Sequence, residues 1–202
     1  MAAISGARRA GASGTLALLV AACGPPKGVD PAKVSAAAQP VALAARPLAD
    51  VFVLEASGAQ PEDTSLRVPS GSPRMLVVRR SAPDFGIFAQ LQFPESTLIA
   101  PTGTAEAAIT ISPRPSVYGL DLVVAGALGD GATITFSYGA HFVAPAGARQ
   151  RYGSNLAFEK VLAIGRLEAN DLVVFLPTSR PASDILSAPL PGPGRYLVAA
   201  PR

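Results

Sequence analysis

Residues 132–138, Ala-Thr-Ile-Thr-Phe-Ser-Tyr, decide the fold class. Ala132, Ile134, Phe136 and Tyr138 alternate with Thr133, Thr135 and Ser137. That is the period of an extended chain with one apolar and one polar face. Residues 87–93 repeat the pattern, with Ile87, Ala89, Leu91 and Phe93 on one side and Gln90 and Gln92 on the other. Working outward, seven further stretches rich in β-branched and apolar residues read as strands: 51–54, 75–79, 107–111, 118–125, 161–167, 172–176 and 196–199. Breakers part them, among them Pro83-Asp84, Gly129-Asp130-Gly131 and Ala169-Asn170-Asp171. Proline fixes φ, glycine frees it, and neither suits a central strand.

About nine short strands predict an all-β fold, a β-sandwich over residues 51–202 with one or two short helical turns in 146–160. A sub-boundary is conceivable near residue 94. Two hairpins are expected. One joins 118–125 to 132–138 through Gly129-Asp130-Gly131. The other joins 161–167 to 172–176 through 168–171.

The first 23 residues have a different logic. Arg8-Arg9 precede Thr-Leu-Ala-Leu-Leu-Val-Ala-Ala at 15–22, and Cys23 follows. A positive start, a short apolar run and small residues before a cut describe a secretory signal, and the run is well short of the roughly 20 residues that span a bilayer. Ala10-Gly11-Ala12 after the arginine pair lacks the bulky apolar residues of twin-arginine export, so the general secretory route is expected.

Val20-Ala21-Ala22-Cys23 resembles the lipobox of bacterial lipoproteins. The resemblance implies cleavage between Ala22 and Cys23 and a diacylglyceryl group on the Cys23 sulfur. It places the body at the cell envelope, with the membrane as a partner through that lipid. Gly24 stands where an Asp would favour inner-membrane retention, which favours the outer membrane. Residues 24–50, rich in Pro and Ala, read as a spacer, with a short helix possible after Asp30-Pro31. From about Leu91 onward, the order LQFPESTLIAP, AITISP, ATITFSYGAHF and GRYLVAAP resembles the β-sandwich module of zona-occludens and netrin-receptor proteins. The tryptophan often present in that module's late hairpin is absent. The resemblance implies a fold and no catalytic residues.

Composition narrows the chemistry. The chain has 202 residues, 49% apolar and 15% charged, with one Cys and one His. A single Cys excludes an internal disulfide, and a multi-Cys metal site is closed as well. The 17 basic residues fall to 15 once Arg8 and Arg9 are removed, against 14 acidic ones. So balanced a charge argues against nucleic acid as a partner, since phosphate backbones need clustered Lys and Arg. The densest basic spots, Arg79-Arg80 and Arg149-Gln150-Arg151, read as solvated clusters.

No cofactor, metal or catalytic residue is assigned. His141 is the one available imidazole, but no G-x-S-x-G elbow accompanies it. Asp121, Asp130, Glu168 and Asp171 fall near turns, where Asp commonly bonds its own backbone. Glu62-Asp63 is the only adjacent carboxylate pair, in a Pro- and Ser-rich loop. Arg149, Arg151, Tyr152, Arg166 and Arg180 form a possible partner patch if they gather on one face, because Arg and Tyr are enriched at interface hot spots. The plainer alternative places Tyr152 in the core and pairs the arginines with Glu159, Glu168 and Asp171.

The expected function is a non-enzymatic interaction or structural module of the envelope, meeting a protein or a glycan. One alternative is an envelope hydrolase using His141 or a carboxylate. Another is a carrier whose sheets enclose an apolar cavity.

Overall fold

The computed structural model describes residues 45–202. The expected signal peptide, Cys23 and the spacer as far as residue 44 lie outside the described residues. In chain order the first strands are β1 (Arg46–Pro47), β2 (Val51–Val53), β3 (Glu55–Ala56), β4 (Thr64–Pro69), β5 (Arg74–Arg79) and β6 (Ile87–Phe93). Then come β7 (Leu98–Ile99), β8 (Glu106–Pro113), β9 (Gly119–Ala125), β10 (Ala127–Leu128), β11 (Thr133–Ser137) and β12 (Phe142–Val143). Two helices, α1 (Ala146–Tyr152) and α2 (Asn155–Val161), lead into β13 (Ala163–Leu167), β14 (Leu172–Phe175), β15 (Ser179–Ala182), β16 (Ile185–Pro189) and β17 (Gly194–Pro201).

The fold is all-β and sandwich-like. The larger sheet runs β1-β14-β13-β17-β9-β8-β4, with β2 also on β17, and the second runs β15-β16-β11-β6-β5. All pairings are antiparallel. One core cluster draws Val68, Ile109, Ile111, Leu120, Leu122 and Val198 from the larger sheet and Leu91, Phe93, Ile134, Phe136 and Leu186 from the smaller. The far face of the larger sheet buries a second cluster of Val51, Ala163, Leu167, Val173, Phe175, Leu197 and Ala199. β17 therefore packs on both faces, which is why Tyr-Leu-Val-Ala-Ala at 196–200 reads as a continuous apolar run.

Each of the nine expected strands overlaps an observed one. The alternation over 132–138 holds, with Ala132, Ile134, Phe136 and Tyr138 all buried. Over 87–93 it holds from Ala89 to Phe93 but fails at Ile87, which is exposed while Phe88 is buried. The cause is a register shift against β5 between Val78 and Arg79 that inserts an extra residue and flips the face.

Three expectations are corrected. The hairpin through Gly129-Asp130-Gly131 does not form: β9 pairs with β8 and β17, whereas β11 pairs with β6 and β16. Both are central strands of opposite sheets, and the connection arches between them. It leaves β9 at Gly126, where φ is 127° and the Ile99 carbonyl lies where a Cβ would project. The sub-boundary near 94 is absent, since β4 pairs with β8 and β6 with β11 across it. The spacer ends earlier than residue 50: β1 pairs with β14, and Leu48 N–H donates to Asp171 O at 2.7 Å. The second hairpin, β13 to β14, forms as expected, with Gly165 opposite Phe175.

Candidate functional site

The densest polar constellation is built on Arg80. Leu76, Val78 and Arg80 share the inward face of β5 and its continuation, so the guanidinium is carried into the fold, where Arg80 is 2% exposed. An arginine so deep needs partners for its donor fork. It donates to Ser57 O at 3.1 Å, Ala59 O at 3.0 Å and the Tyr118 hydroxyl at 2.6 Å. Its Nε lies 3.5 Å from Asp84 Oδ2. The rings of Phe88 and Tyr118 face it at 5.4 and 5.3 Å, a cation–π contact with each. The expected solvated Arg79-Arg80 cluster is therefore corrected at Arg80. The signal was present in the sequence, because Arg80 continues the buried period of Leu76 and Val78.

Asp84 is held by the tight turn 81–84, whose N–H donates to Ser81 O at 3.2 Å. The oxygen that approaches Arg80 also meets His141 Nε2 at 2.6 Å. His141 ends a 3-10 turn, Gly139–His141, that follows β11. These groups border a cleft of about 180 Å³ together with Ser137, Tyr138 and Asp184. The Asp184 carboxylate lies against Gly139: a Cβ there would stand 2.5 Å from Oδ2.

A His–Asp pair with a serine on the same cleft has the parts of a nucleophile–base–orienter arrangement. With Asp84 on Nε2, the other ring nitrogen must face the nucleophile. That nitrogen, Nδ1, lies 2.8 Å from the position of a Cβ on Gly58, so backbone flanks it. Among the described residues no hydroxyl bonds to it. Ser137 borders the cleft without a hydrogen bond to His141, and the one serine hydroxyl that approaches His141, Ser57 Oγ, meets its carbonyl at 3.5 Å.

Burial pushes the Tyr118 hydroxyl up to about 12, against the opposing pull of Arg80. The Tyr118 hydroxyl donates a hydrogen bond to the Tyr138 carbonyl at 3.1 Å. Tyr138 is likewise pushed up to about 12 by burial, with Arg180 opposing. Both phenols stay protonated and serve as fixed hydrogen-bond relays.

The expected partner residues disperse into separate duties. Arg180 donates to the Tyr138 hydroxyl, to Ser183 O at 3.2 Å, and to Glu159 O and Leu162 O at 2.6 and 3.4 Å. It thereby satisfies carbonyls at the end of α2, which a helix leaves open. Arg166 lies 3.5 Å from Glu168 and donates to Pro193 O at 3.1 Å. Tyr152 is half-buried, donates to Pro201 O at 2.6 Å and packs its ring near Phe52 and Phe158. Arg149 and Arg151 are exposed in the last turn of α1. Asp121 pairs with Arg114 at 3.1 Å, and Asp171 occupies the β13–β14 turn at φ 56°. Among the described residues, no three His, Cys, Asp or Glu side chains gather as a metal would require. No described helix is long and apolar enough to cross a membrane.

Comparison with known protein families, curated proteins and solved structures returns no match for this chain.

Proposed function

We propose that this chain is a lipid-anchored protein of the bacterial envelope, tethered through Cys23, whose β-sandwich acts as a non-enzymatic interaction or structural module. One observation carries the non-enzymatic part. The chemistry-bearing groups of the His141 cleft are tied to the fold: Asp84 bridges His141 and Arg80, and Arg80 fastens the 57–59 segment and Tyr118. The anchor part rests on Val20-Ala21-Ala22-Cys23. Two or more acyl chains on one residue hold a folded body at a bilayer for long periods, since each buried methylene contributes about 0.8 kcal/mol. The anchor then concentrates the body beside membrane-bound partners without high intrinsic affinity. The absence of Asp at position 24 favours the outer membrane.

Intact mass of the membrane-extracted protein tests the anchor. The expected mass begins at Cys23 and carries lipid, and Cys23→Ser releases the protein from membranes. A wild-type chain that is water-soluble and begins elsewhere sinks the reading.

A second reading, an envelope hydrolase, draws on the 2.6 Å His141–Asp84 contact beside Ser137. It requires His141→Ala and Ser137→Ala each to abolish turnover of ester or peptide substrates. The module reading expects no turnover to lose. The carrier reading draws less support, because Leu91, Phe93, Ile134 and Phe136 fill the space between the sheets at 0% exposure.

A further inference from the structure

A sheet edge offers unpaired N–H and C=O groups to any extended chain, and folded proteins usually blunt it with proline, brevity, bulges or charge. Of the four strands that end the two main sheets, three are treated in that way along their length. β1 is two residues long and ends in Pro47; β4 carries exposed Arg67 mid-strand and ends in Pro69; β15 contains Pro181 and an irregular register. The fourth, β5, is six residues long without proline, keeps a regular register from Arg74 to Val78 with its one shift at the Arg79 end, and among the described residues pairs only with β6. Its outward side chains are apolar, Met75 at 56% and Val77 at 40% exposure. Its only charges are Arg74 and Arg79 at its two ends, and neither meets a carboxylate among the described residues. Beside Arg74 a cleft of about 280 Å³ opens between Met75, Gln92 and Pro94.

We infer that β5 is a strand-addition site for an extended peptide segment with an apolar or β-branched centre and an acidic residue at each end. Main-chain bonds to β5 supply the attraction, and the cleft beside Arg74 takes a side chain. The terminal arginines decide the occupant. A second copy laid antiparallel about the middle of β5 sets Arg74 opposite the copy's Arg79, and like charges facing across strands are destabilising. An acid at each end of a partner strand meets an arginine in either direction. The inference needs only the folded body. Its failure leaves the Cys23 anchor standing, and loss of the anchor leaves the edge intact.

The test uses the full chain and the hexapeptide acetyl-Asp-Val-Thr-Val-Thr-Asp-amide, followed by fluorescence anisotropy. Binding is expected to saturate, to weaken at least about tenfold when both Asp are Lys, and to reverse that preference in the Arg74→Glu/Arg79→Glu variant. The peptide is also expected to slow amide exchange at alternate residues of β5 in the unmutated chain. Equal binding of both peptides, unaltered preference in the double variant, or no change in β5 exchange overturns the inference. So does light scattering that shows a dimer sealed through β5. Slow β5 exchange in the free full chain, lost on deletion of residues 1–44, assigns the edge to this chain's own N-terminal segment and equally overturns it.

Discussion

Replacing Arg80 with Met isolates what the buried guanidinium does. Met keeps much of the apolar stem between Phe88 and Tyr118 while deleting every donor. Ser57 O and Ala59 O lose their Arg80 contacts of 3.1 and 3.0 Å. The Tyr118 hydroxyl loses a donor but still donates to Tyr138 O. Both contacts are part-buried, so each carbonyl left without its donor costs towards the lower end of about 1–3 kcal/mol, roughly 2–3 kcal/mol together. Against this, the variant no longer desolvates a guanidinium, a penalty of several kcal/mol that the native contacts must offset. Asp84 adds little, because it is part-exposed and 3.5 Å away. The lost cation–π contacts with Phe88 and Tyr118 counter much of that relief, so the expected net loss is about 2 kcal/mol. For a body of this size that lowers Tm by roughly 4–8 °C. Urea unfolding followed by circular dichroism reads it as a lower midpoint with an unchanged slope. Arg80→Lys is expected to lose about half as much, since one ammonium cannot reproduce the planar fork. If Arg80→Met lies within about 1 kcal/mol of the unmutated protein, the carbonyls find water and Arg80 does not fasten the 57–59 segment.

Alkaline pH supplies an independent probe. Tyr118 and Tyr138 are pushed up to about 12, and Tyr196 is also raised, each chiefly by burial. The unfolded phenols ionise near 10, so Tyr118 and Tyr138 contribute stability that is intact below pH 10 and lost as pH rises towards about 12, on the order of 2 kcal/mol each, and Tyr196 acts in the same direction. Denaturant midpoints measured across that window check the slope; a flat profile rejects it. At Gly165 in β13 an added Cβ would run into Val173 Cγ1, a stiff β-branched neighbour in a filled cluster. Gly165→Ala is expected to destabilise by about 1–3 kcal/mol, visible as a lower thermal midpoint. A neutral result there means the second cluster is loosely packed.

Much of the fold is legible because strand patterning is local. A residue two positions on faces the same way, so Ala132, Ile134, Phe136 and Tyr138 announce a half-buried strand without reference to what they pair with. The same logic finds the β13–β14 hairpin, where a four-residue turn gives the chain nowhere else to go. The helices are equally local. Ser154 caps α2 through a 3.1 Å bond from Ala157 N–H, and Gly153 ends α1 in the left-handed region.

Pairing is not local, and there the reading breaks down. β9 and β11 carry alternation as clear as any hairpin, and a Gly-Asp-Gly lies between them, yet each already has two partners from elsewhere in the chain. Period two states that a face is buried, not which sheet buries it. The same gap hid the Arg80 cluster. Asp84 lies four residues on from Arg80, but Ser57, Ala59, Tyr118 and His141 come from three distant segments, and only topology brings them to it. The contacts of the expected partner residues were equally hidden: Arg166 stands beside Glu168 and Arg180 on the end of α2, partners set by the fold. Buried polar groups must be satisfied before surfaces can be used, so an arginine near a helix end or a turn is claimed by backbone carbonyls first. The arginines left without a carboxylate at a strand edge, Arg74 and Arg79, drew no notice as interaction residues because their significance depends on β5 being an edge. Which strands end a sheet is fixed by the whole chain at once, and it is at those ends that an all-β body has backbone groups to offer a partner.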